Sequence, residues 1–176
     1  MTIPEPLIST ERIASRVAEI AAEIDRDYAG VDELLILCVL RGGYIFSADL
    51  SRALTIPRRI DFIALSSYEK TSSAGGVRLI MDARVSLTGR HVLIVEDILD
   101  SGQTLAYLMR LFEARRPASL RACVLVRKPQ PDIEVVVDYL GFDIPDEWVV
   151  GYGLDYNDKF RSLPYIGRLT PEQLAE

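Results

Sequence analysis

Three carboxylates and a short hydroxyl-bearing loop follow one apolar run in the middle of the chain. The run 92–95 leads directly into Glu96 and Asp97, and Asp100 comes three residues later. The loop that follows contains two hydroxyls, a glycine and an amide, from Ser101, Gly102, Gln103 and Thr104. Glycine lets a backbone approach a ligand closely, and the free N–H groups at the start of a helix favour anions. The loop is therefore suited to a phosphate group.

The three acids indicate that the ligand carries more than a phosphate, because carboxylates repel phosphate. They suit a ligand with sugar hydroxyls, a bound Mg²⁺ or developing positive charge. The pattern therefore predicts a sugar phosphate whose reacting carbon becomes cationic. The plainer alternative is a solvated strand end at Glu96 and Asp97, with Ser101 capping a helix. Neither a Walker A loop nor a GxGxxG fingerprint is present in the sequence.

Composition limits the classes of function that the chain can have. Its 176 residues suit one domain, and its net charge of −6 argues against a nucleic-acid partner. A single histidine, His91, excludes a histidine-based triad and a multi-histidine zinc site. Both cysteines, Cys38 and Cys123, lie in apolar runs, which predicts buried reduced thiols. The longest apolar run, 34–40, is too short to cross a bilayer, and the N-terminus does not resemble a secretion signal. We therefore expect a cytoplasmic protein without a membrane partner.

Hydrophobic periodicity predicts the elements that position these residues. We expect helices at about 10–28, 43–53 and 105–114, and strands at about 34–40, 60–66, 77–81, 91–95, 120–126, 135–139 and 148–152. The alternation of strands and helices predicts an α/β fold with a largely parallel sheet. Ligands of such sheets bind beyond the carboxyl ends of the strands, here the turns after Leu40 and Val95. Residues 67–77 are polar and lack periodicity, which predicts a mobile loop.

The stretch VLIVEDILDSGQTL at 92–105 resembles the phosphoribosyl-diphosphate signature of the type I phosphoribosyltransferases. Segments 37–50, 66–70, 126–131 and 146–169 are similar to the branch that acts on hypoxanthine and guanine. The resemblance covers nearly the whole chain. It implies one phosphoribosyltransferase domain over 1–176, with a largely parallel central sheet flanked by helices and a small hood formed by the terminal segments. It also implies a flexible lid at about 67–77 and a purine-recognition hood at about 127–169.

The resemblance assigns the sugar, phosphate and metal ligands as follows. Glu96 and Asp97 bind the ribose hydroxyls, directly or through Mg²⁺, and Asp100 is the general base near purine N7. The 5′-phosphate and ribose also contact Ser101, Gly102, Gln103 and Thr104. Diphosphate contacts Leu40, Arg41, Gly42, Gly43 and Arg161. The stretch 40–43 is a loop whose backbone often has an unusual peptide geometry. The implied metal ligands are Glu96, Asp97 and Asp155, with Asp155 at a second Mg²⁺.

Base recognition and closure are implied at other positions. Lys128 binds the exocyclic oxygen at purine C6, Trp148 stacks on the base, the Val149 backbone reads its edge, and Asp155 completes the purine site. Ser67 and Tyr68 lie on the lid. Taken singly, most of these residues also have plain structural interpretations: Lys128 as a surface lysine, Trp148 as packing, 41–43 as a turn, Asp155 as a loop acid and Tyr68 as a loop aromatic. One position departs from the family pattern: Glu69 stands where a glycine is expected.

The implied activity is Mg²⁺-dependent transfer of the 5-phosphoribosyl group from phosphoribosyl diphosphate to a 6-oxopurine, which serves purine salvage. The products would be IMP or GMP and diphosphate. A cationic donor at Lys128 would favour hypoxanthine and guanine over adenine. We expect a homodimer or homotetramer, as is usual for such enzymes. The alternatives are a nucleotide-sensing regulatory protein on the same fold, and a xanthine- or pyrimidine-specific relative.

Overall fold

The computed structural model describes residues 3–67, 77–129 and 135–174. Its strands are β1 (Glu5–Ile8), β2 (Leu34–Leu40), β3 (Arg58–Ser67), β4 (Val77–Met81), β5 (His91–Leu99), β6 (Ser119–Arg127), β7 (Tyr139–Asp143), β8 (Val149–Val150) and β9 (Ile166–Arg168). Its helices are α1 (Thr10–Asp27), α2 (Tyr44–Ala53), α3 (Gln103–Glu113) and α4 (Pro171–Leu174).

The large sheet has the strand order β4-β3-β2-β5-β6-β7. Strands β3, β2, β5, β6 and β7 run parallel, and β4 pairs antiparallel with β3 at one edge. A parallel strand covered on both faces is apolar along its length. This explains β2, LLILCVL, in which every residue but the last is buried. The predicted α/β fold with a largely parallel sheet is confirmed.

Helices cover both faces of this sheet. Residues at helical spacing on α1, Ile13, Val17, Ile20 and Ile24, belong to the same core as Ile36 of β2. Helix α1 begins where predicted, because the Ser9 side chain accepts a hydrogen bond from the Arg12 N–H at 3.4 Å. On the opposite face, α3 buries Leu105, Leu108 and Phe112. The sheet is thereby held between two layers, and its carboxyl edge carries the loops.

Two of the strands predicted after α3 are wrong in their bounds. The predicted strand 135–139 begins at its last residue, because parallel pairing starts at Tyr139 opposite Cys123. Just before it, the Asp138 carboxylate accepts the Ala122 N–H at 2.8 Å, and Val136 is 72% exposed. The predicted strand 148–152 is reduced to β8. Its chain turns away through positive φ angles at residues 151–153, of +95°, +51° and +107°.

A second, three-stranded sheet has the order β1-β9-β8. It is built from both ends of the chain, in agreement with the predicted hood of terminal segments. Cys38 and Cys123 are buried free thiols, as predicted. Within the described ranges, no helix is both long enough and apolar enough to cross a membrane.

Candidate active site

The first acids of the signature belong to a strand rather than to a loop. Pairing with β6 continues through Ile98 and Leu99, so β5 ends four residues later than predicted. Side chains alternate along a strand, which places Glu96 and Asp97 on opposite faces of the sheet. Glu96 is on the same face as Val92 and Ile94, which pack in the core beneath α3. Asp97 is on the same face as Leu93 and Val95, which pack in the core beneath α1.

Burial governs the protonation of both acids. It raises the pKa of Glu96 well above its usual range, and the charge of Asp97 adds to this effect. One Glu96 oxygen, Oε2, is buried without a hydrogen-bond partner among the described residues. Burial also raises the pKa of Asp97 to about 6, although backbone N–H groups and Arg161 oppose this shift. The charge of Asp155 raises it further, so Asp97 and Asp155 act on each other.

The loop after β2 lies directly against Asp97. A Cβ on Gly42 would overlap the Asp97 carboxylate, so the loop can make this approach only with glycine. The Leu40–Arg41 peptide bond is cis, the kind of unusual peptide geometry that the family resemblance implies for this loop. Gly43 caps α2, and its N–H donates to Val39 O at 3.0 Å. The four residues of the loop thus lie beside the carboxyl end of β5.

A tight turn after β8 brings a charged cluster to the same place. Gly153 packs so closely against the Gly42 carbonyl that an added Cβ would overlap it. Arg161 donates to Gly153 O at 2.8 Å and forms an ion pair with Asp155 at 2.7 Å. Asp158 contacts both Arg161, at 3.3 Å, and Arg41, at 2.8 Å. Five charged side chains, including Asp97, therefore meet beside the glycine contact.

The loop 100–102 connects β5 to α3. Gly102 has a φ of +72° and occupies the N-cap position of α3. Among the described residues, no side chain caps this helix, so Ser101 does not take the capping role of the plainer alternative. The first-turn N–H groups, beginning with Gln103 and Thr104, lack intrahelical partners. They form an anion-binding helix terminus in the position where the sequence predicts a phosphate.

A buried ammonium faces the same loop. Lys128 follows β6, and only 10% of its side chain is exposed. Its Nζ atom lies 3.7 Å from Asp100 Oδ2, 3.3 Å from Asp146 Oδ1 and 5.7 Å from the centre of the Trp148 ring. Trp148 is 58% exposed, which excludes its interpretation as core packing. Val149, next to it, is buried in β8 opposite Arg168.

The structure therefore groups the predicted residues into two neighbouring clusters at the carboxyl edge of the sheet. One cluster contains Gly42, Asp97, Asp155 and Arg161, and the other contains Asp100, Lys128 and Trp148. The contacts of Asp155 are with Arg161 and the Asp158 N–H rather than with Lys128. Of the predicted lid, Ser67 ends β3, and Tyr68 lies outside the described residues.

Two acids in these clusters were not among the predicted site residues. Asp146 pairs with Lys128, and Asp158 bridges two arginines. The sequence offers a signal for Asp146, since it lies two residues before Trp148 in a segment that already resembles a purine site. For Asp158 the signal is weaker, because its partner Arg41 is distant in sequence.

Comparison with known proteins agrees with this geometry. Residues 7–157 match the family model described as phosphoribosyl transferase domain. The hypoxanthine-guanine phosphoribosyltransferase of Mycobacterium tuberculosis is 46% identical, over 96% of this chain and 87% of that protein. The hypoxanthine phosphoribosyltransferase of Haemophilus influenzae is 42% identical, over 95% and 96%.

Solved structures give the same result. A hypoxanthine phosphoribosyltransferase from Trypanosoma cruzi, in complex with the product IMP, has a TM-score of 0.91 and 43% identity over 98% of this chain and 97% of that one. A hypoxanthine-guanine phosphoribosyltransferase from Bacillus anthracis, with HEPES in the active site, has a TM-score of 0.90 and 42% identity over 96% and 100%.

Fold and site together define a type I phosphoribosyltransferase fold. The chain belongs to the phosphoribosyltransferase family, and its similar relatives are phosphoribosyltransferases of hypoxanthine and guanine. The family resemblance seen in the sequence is thereby confirmed.

Proposed function

We propose that this chain is a purine-salvage enzyme that transfers the 5-phosphoribosyl group from phosphoribosyl diphosphate to hypoxanthine or guanine. One observation carries the proposal: Lys128, Asp100 and Trp148 lie together beside the uncapped start of α3. A buried ammonium, a carboxylate and an exposed ring suit a flat base with an oxygen and an acidic N–H. The relatives described above, named for hypoxanthine and guanine, support the same substrates.

The sugar phosphate is proposed to bind at the start of α3. Its 5′-phosphate lies against Ser101, Gly102, Gln103 and Thr104, where the helix terminus favours negative charge. The C1 carbon then faces the carboxyl end of β5. As the C1–O bond to diphosphate breaks, positive charge spreads over the ribose ring, and nearby carboxylates stabilise it. Glu96 and Asp97 are the carboxylates proposed to act on the ribose.

Asp100 is the proposed general base. It accepts the proton from purine N7 while the other nitrogen of the five-membered ring forms its bond to C1, and diphosphate leaves with the electron pair of the broken bond. Its place in the loop between β5 and α3, with Oδ2 3.7 Å from Lys128 Nζ, supports this role. A base at this point is close to both reacting partners.

The diphosphate is proposed to bind between two loops. Leu40, Arg41, Gly42 and Gly43 form one side, and Arg161 forms the other. Arginine binds phosphate oxygens through two parallel N–H groups, and the glycines allow close backbone approach. The contact of Gly153 with Gly42 fixes the spacing of the two loops.

The residues present fit a magnesium ion that is held mainly by the substrate. Glu96 has a buried oxygen with no hydrogen-bond partner in the described part of the chain. Asp97 and Asp155 repel each other, and a cation would relieve this repulsion. In the described part of the chain, no three acidic, cysteine or histidine side chains gather closely enough to form a metal site alone. Mg²⁺ commonly uses one or two carboxylates together with substrate phosphates. We propose Glu96 and Asp97 as ligands of this ion and Asp155 as a ligand of a second one, and the ions would neutralise charge on the leaving diphosphate.

Lys128 is proposed to select the base. Its ammonium donates to an oxygen at purine C6, whereas the amino group of adenine would meet it donor to donor. A buried mismatch of this kind costs roughly 1–3 kcal/mol. Trp148 stacks on the base, and the Val149 backbone reads its edge. Asp155, which pairs with Arg161 in the other cluster, is proposed to act from there.

The extent of the domain, the lid, the cellular location and the oligomeric state complete the proposal. One domain is proposed over 1–176. A lid at about 67–77, with Ser67 and Tyr68, is proposed to exclude water from the reaction; residues 68–76 of this segment lie outside the described residues. The protein acts in the cytoplasm as a homodimer or homotetramer.

A base panel tests the proposal. Purified protein is mixed with phosphoribosyl diphosphate, Mg²⁺ and one of hypoxanthine, guanine, xanthine, adenine or uracil, and diphosphate release is followed. We expect turnover with hypoxanthine, guanine or both, and little with adenine or uracil. Turnover of adenine at the same rate would refute the role of Lys128, and no turnover with any base would refute the function.

A further inference from the structure

We propose that Asp146 is a positioning residue, which holds the Lys128 ammonium where it meets the base and prevents Asp100 from capturing it. The inference deepens the proposed function and rests on it. Asp146 has no role in the site predicted from the sequence, yet it makes the shorter of the two ion pairs to Lys128, 3.3 Å against 3.7 Å.

Lys128 needs such a partner because only its backbone is fixed by the sheet. The Lys128 N–H donates to Leu99 O at 3.0 Å, which anchors its Cα beside the end of β5. The side chain beyond has four rotatable carbon–carbon bonds, and fixing it costs conformational entropy. Since the ammonium is nearly buried, its charge must also be compensated there.

Two carboxylates compete for this ammonium, and they differ in chemistry. Asp100 is the proposed base, so it becomes neutral when it takes the purine proton. Its attraction for Lys128 is lost at that moment. Asp146 takes no proton in the reaction and remains a carboxylate, so it holds the ammonium throughout the transfer. With Asp146 absent, Lys128 would have Asp100 as its nearest carboxylate and would be drawn away from the base.

The backbone around Asp146 is held at both ends. The Ile144 N–H donates to Arg127 O at 2.9 Å, and the Leu169 N–H donates to Trp148 O at 2.9 Å. Between these anchors, a single segment supplies both the counter-ion of Lys128 and the ring that lies 5.7 Å from its Nζ. The ammonium, the carboxylate and the stacking ring are therefore set in one geometry.

The only tryptophan of the chain provides the measurement. Trp148 fluorescence, excited at 295 nm, reports nucleotide binding directly and is titrated with IMP and with AMP. The two nucleotides share the ribose phosphate and differ at purine C6. Asp146→Asn is expected to weaken IMP binding about 5- to 20-fold, the effect of a displaced donor in a buried site, and AMP binding less than 2-fold. Any change in repulsion of the phosphate affects both nucleotides equally and cancels in the comparison.

Asp143→Asn is the matched control. Asp143 is 69% exposed in its side chain, close to the 67% of Asp146, and it pairs with Arg127, the neighbour of Lys128. Its loss removes the same charge from the same region without touching the ammonium. IMP binding should stay within 2-fold of the wild type. Asp146→Glu, which keeps the charge, should recover most of the lost affinity.

A double-mutant cycle tests whether Asp146 acts through Lys128. In the Lys128→Ala background, Asp146→Asn should leave IMP binding unchanged. An equal loss in both backgrounds would overturn the proposal, as would an unchanged IMP affinity in the single variant or equal weakening of IMP and AMP. These binding results are independent of turnover. If the wild type binds IMP but transfers the phosphoribosyl group to no base, the proposed function is refuted. The effect of Asp146 on binding can still be interpreted in that case.

Discussion

Asp97 and Gly42 are in such close contact that the Asp97 carboxylate fills the position where a Cβ on Gly42 would lie. Gly42 follows β2, and Asp97 lies near the end of the neighbouring parallel strand β5, at the same carboxyl edge of the sheet. The loop after β2 and the acidic end of β5 are consequently one structural unit. A change in either residue must move the other.

Gly42→Ala should therefore reduce activity strongly. The added methyl group displaces the Asp97 carboxylate or the loop 40–43, both of which are proposed to contact the ribose and diphosphate. We expect kcat/KM for phosphoribosyl diphosphate to fall at least about 100-fold, the usual cost of misplacing a site by an ångström. Steady-state kinetics measures the effect.

Gly30→Ala is the control for this change. Gly30 has a φ of +85°, and none of the described residues has an atom within 4 Å of a Cβ placed on it. Its substitution costs about 1–2 kcal/mol of stability through backbone strain alone. Kinetics should remain normal below the unfolding temperature. An active Gly42→Ala protein would contradict the proposed tight coupling.

The Asp97 carboxyl gives a pH-dependent prediction for stability. Its pKa rises from 3.8 to about 6 on folding, mainly through burial, so the folded state binds its proton more tightly than the unfolded state does. Its contribution to stability is complete below pH 3.8 and is lost as pH rises through about 6. Asp97→Asn removes this loss of stability, and we expect the variant to be about 3 kcal/mol more stable than the wild type at pH 8.

Urea unfolding at a series of pH values, without Mg²⁺, measures that difference. The advantage of Asp97→Asn should shrink steadily between pH 7 and pH 4. An advantage that is independent of pH, or a variant less stable at pH 8, would show that burial does not disfavour the Asp97 charge. Activity of the variant should be low, because the proposed ribose contact is lost.

Asp100→Asn addresses the general base. The amide keeps the shape of the side chain but cannot take the purine proton, so kcat should fall roughly 10²- to 10⁴-fold. IMP affinity, measured by Trp148 fluorescence, should change far less. A near-normal kcat would remove Asp100 from the proton transfer and direct attention to another acceptor.

Tyr152→Phe tests how the tight turn after β8 is anchored to α2. The buried Tyr152 hydroxyl donates to Asp49 Oδ2 at 2.5 Å, and burial together with the Asp49 charge raises the pKa of Tyr152. Loss of this hydrogen bond should lower the free energy of unfolding by about 1–3 kcal/mol. Tyr44→Phe, at a position that is partly exposed on the same helix, should change it by less than about 0.5 kcal/mol. Equal effects would contradict a structural role for this bond.

Local sequence patterns were sufficient to predict the helices and strands that position the site. Ser9 and the spacing of Ile13, Val17 and Ile20 predict helix α1, because capping and one apolar face are properties of a single segment. The predicted end of β5 was wrong because it depends on pairing with another strand and not on a single segment. Glu96 and Asp97 look like a loop by composition, but pairing with β6 extends the strand through them.

Contacts between distant segments were beyond the sequence alone. Periodicity predicts a strand before Lys128 and the resemblance predicts its role, but neither places Asp146 against its ammonium. The bridge from Asp158 to Arg41 likewise depends on the turn at Gly153 meeting the loop at Gly42. Such pairs are set by the packing of whole elements, and a one-dimensional pattern does not contain that packing.

A crystal structure of the protein with IMP tests the central claim most directly. We predict that the 5′-phosphate lies within hydrogen-bonding distance of the N–H groups of residues 101–104, with the hypoxanthine ring on Trp148 and its C6 oxygen at Lys128. A nucleotide bound elsewhere, with residues 101–104 making no contact to phosphate, would contradict the proposed site and the mechanism built on it.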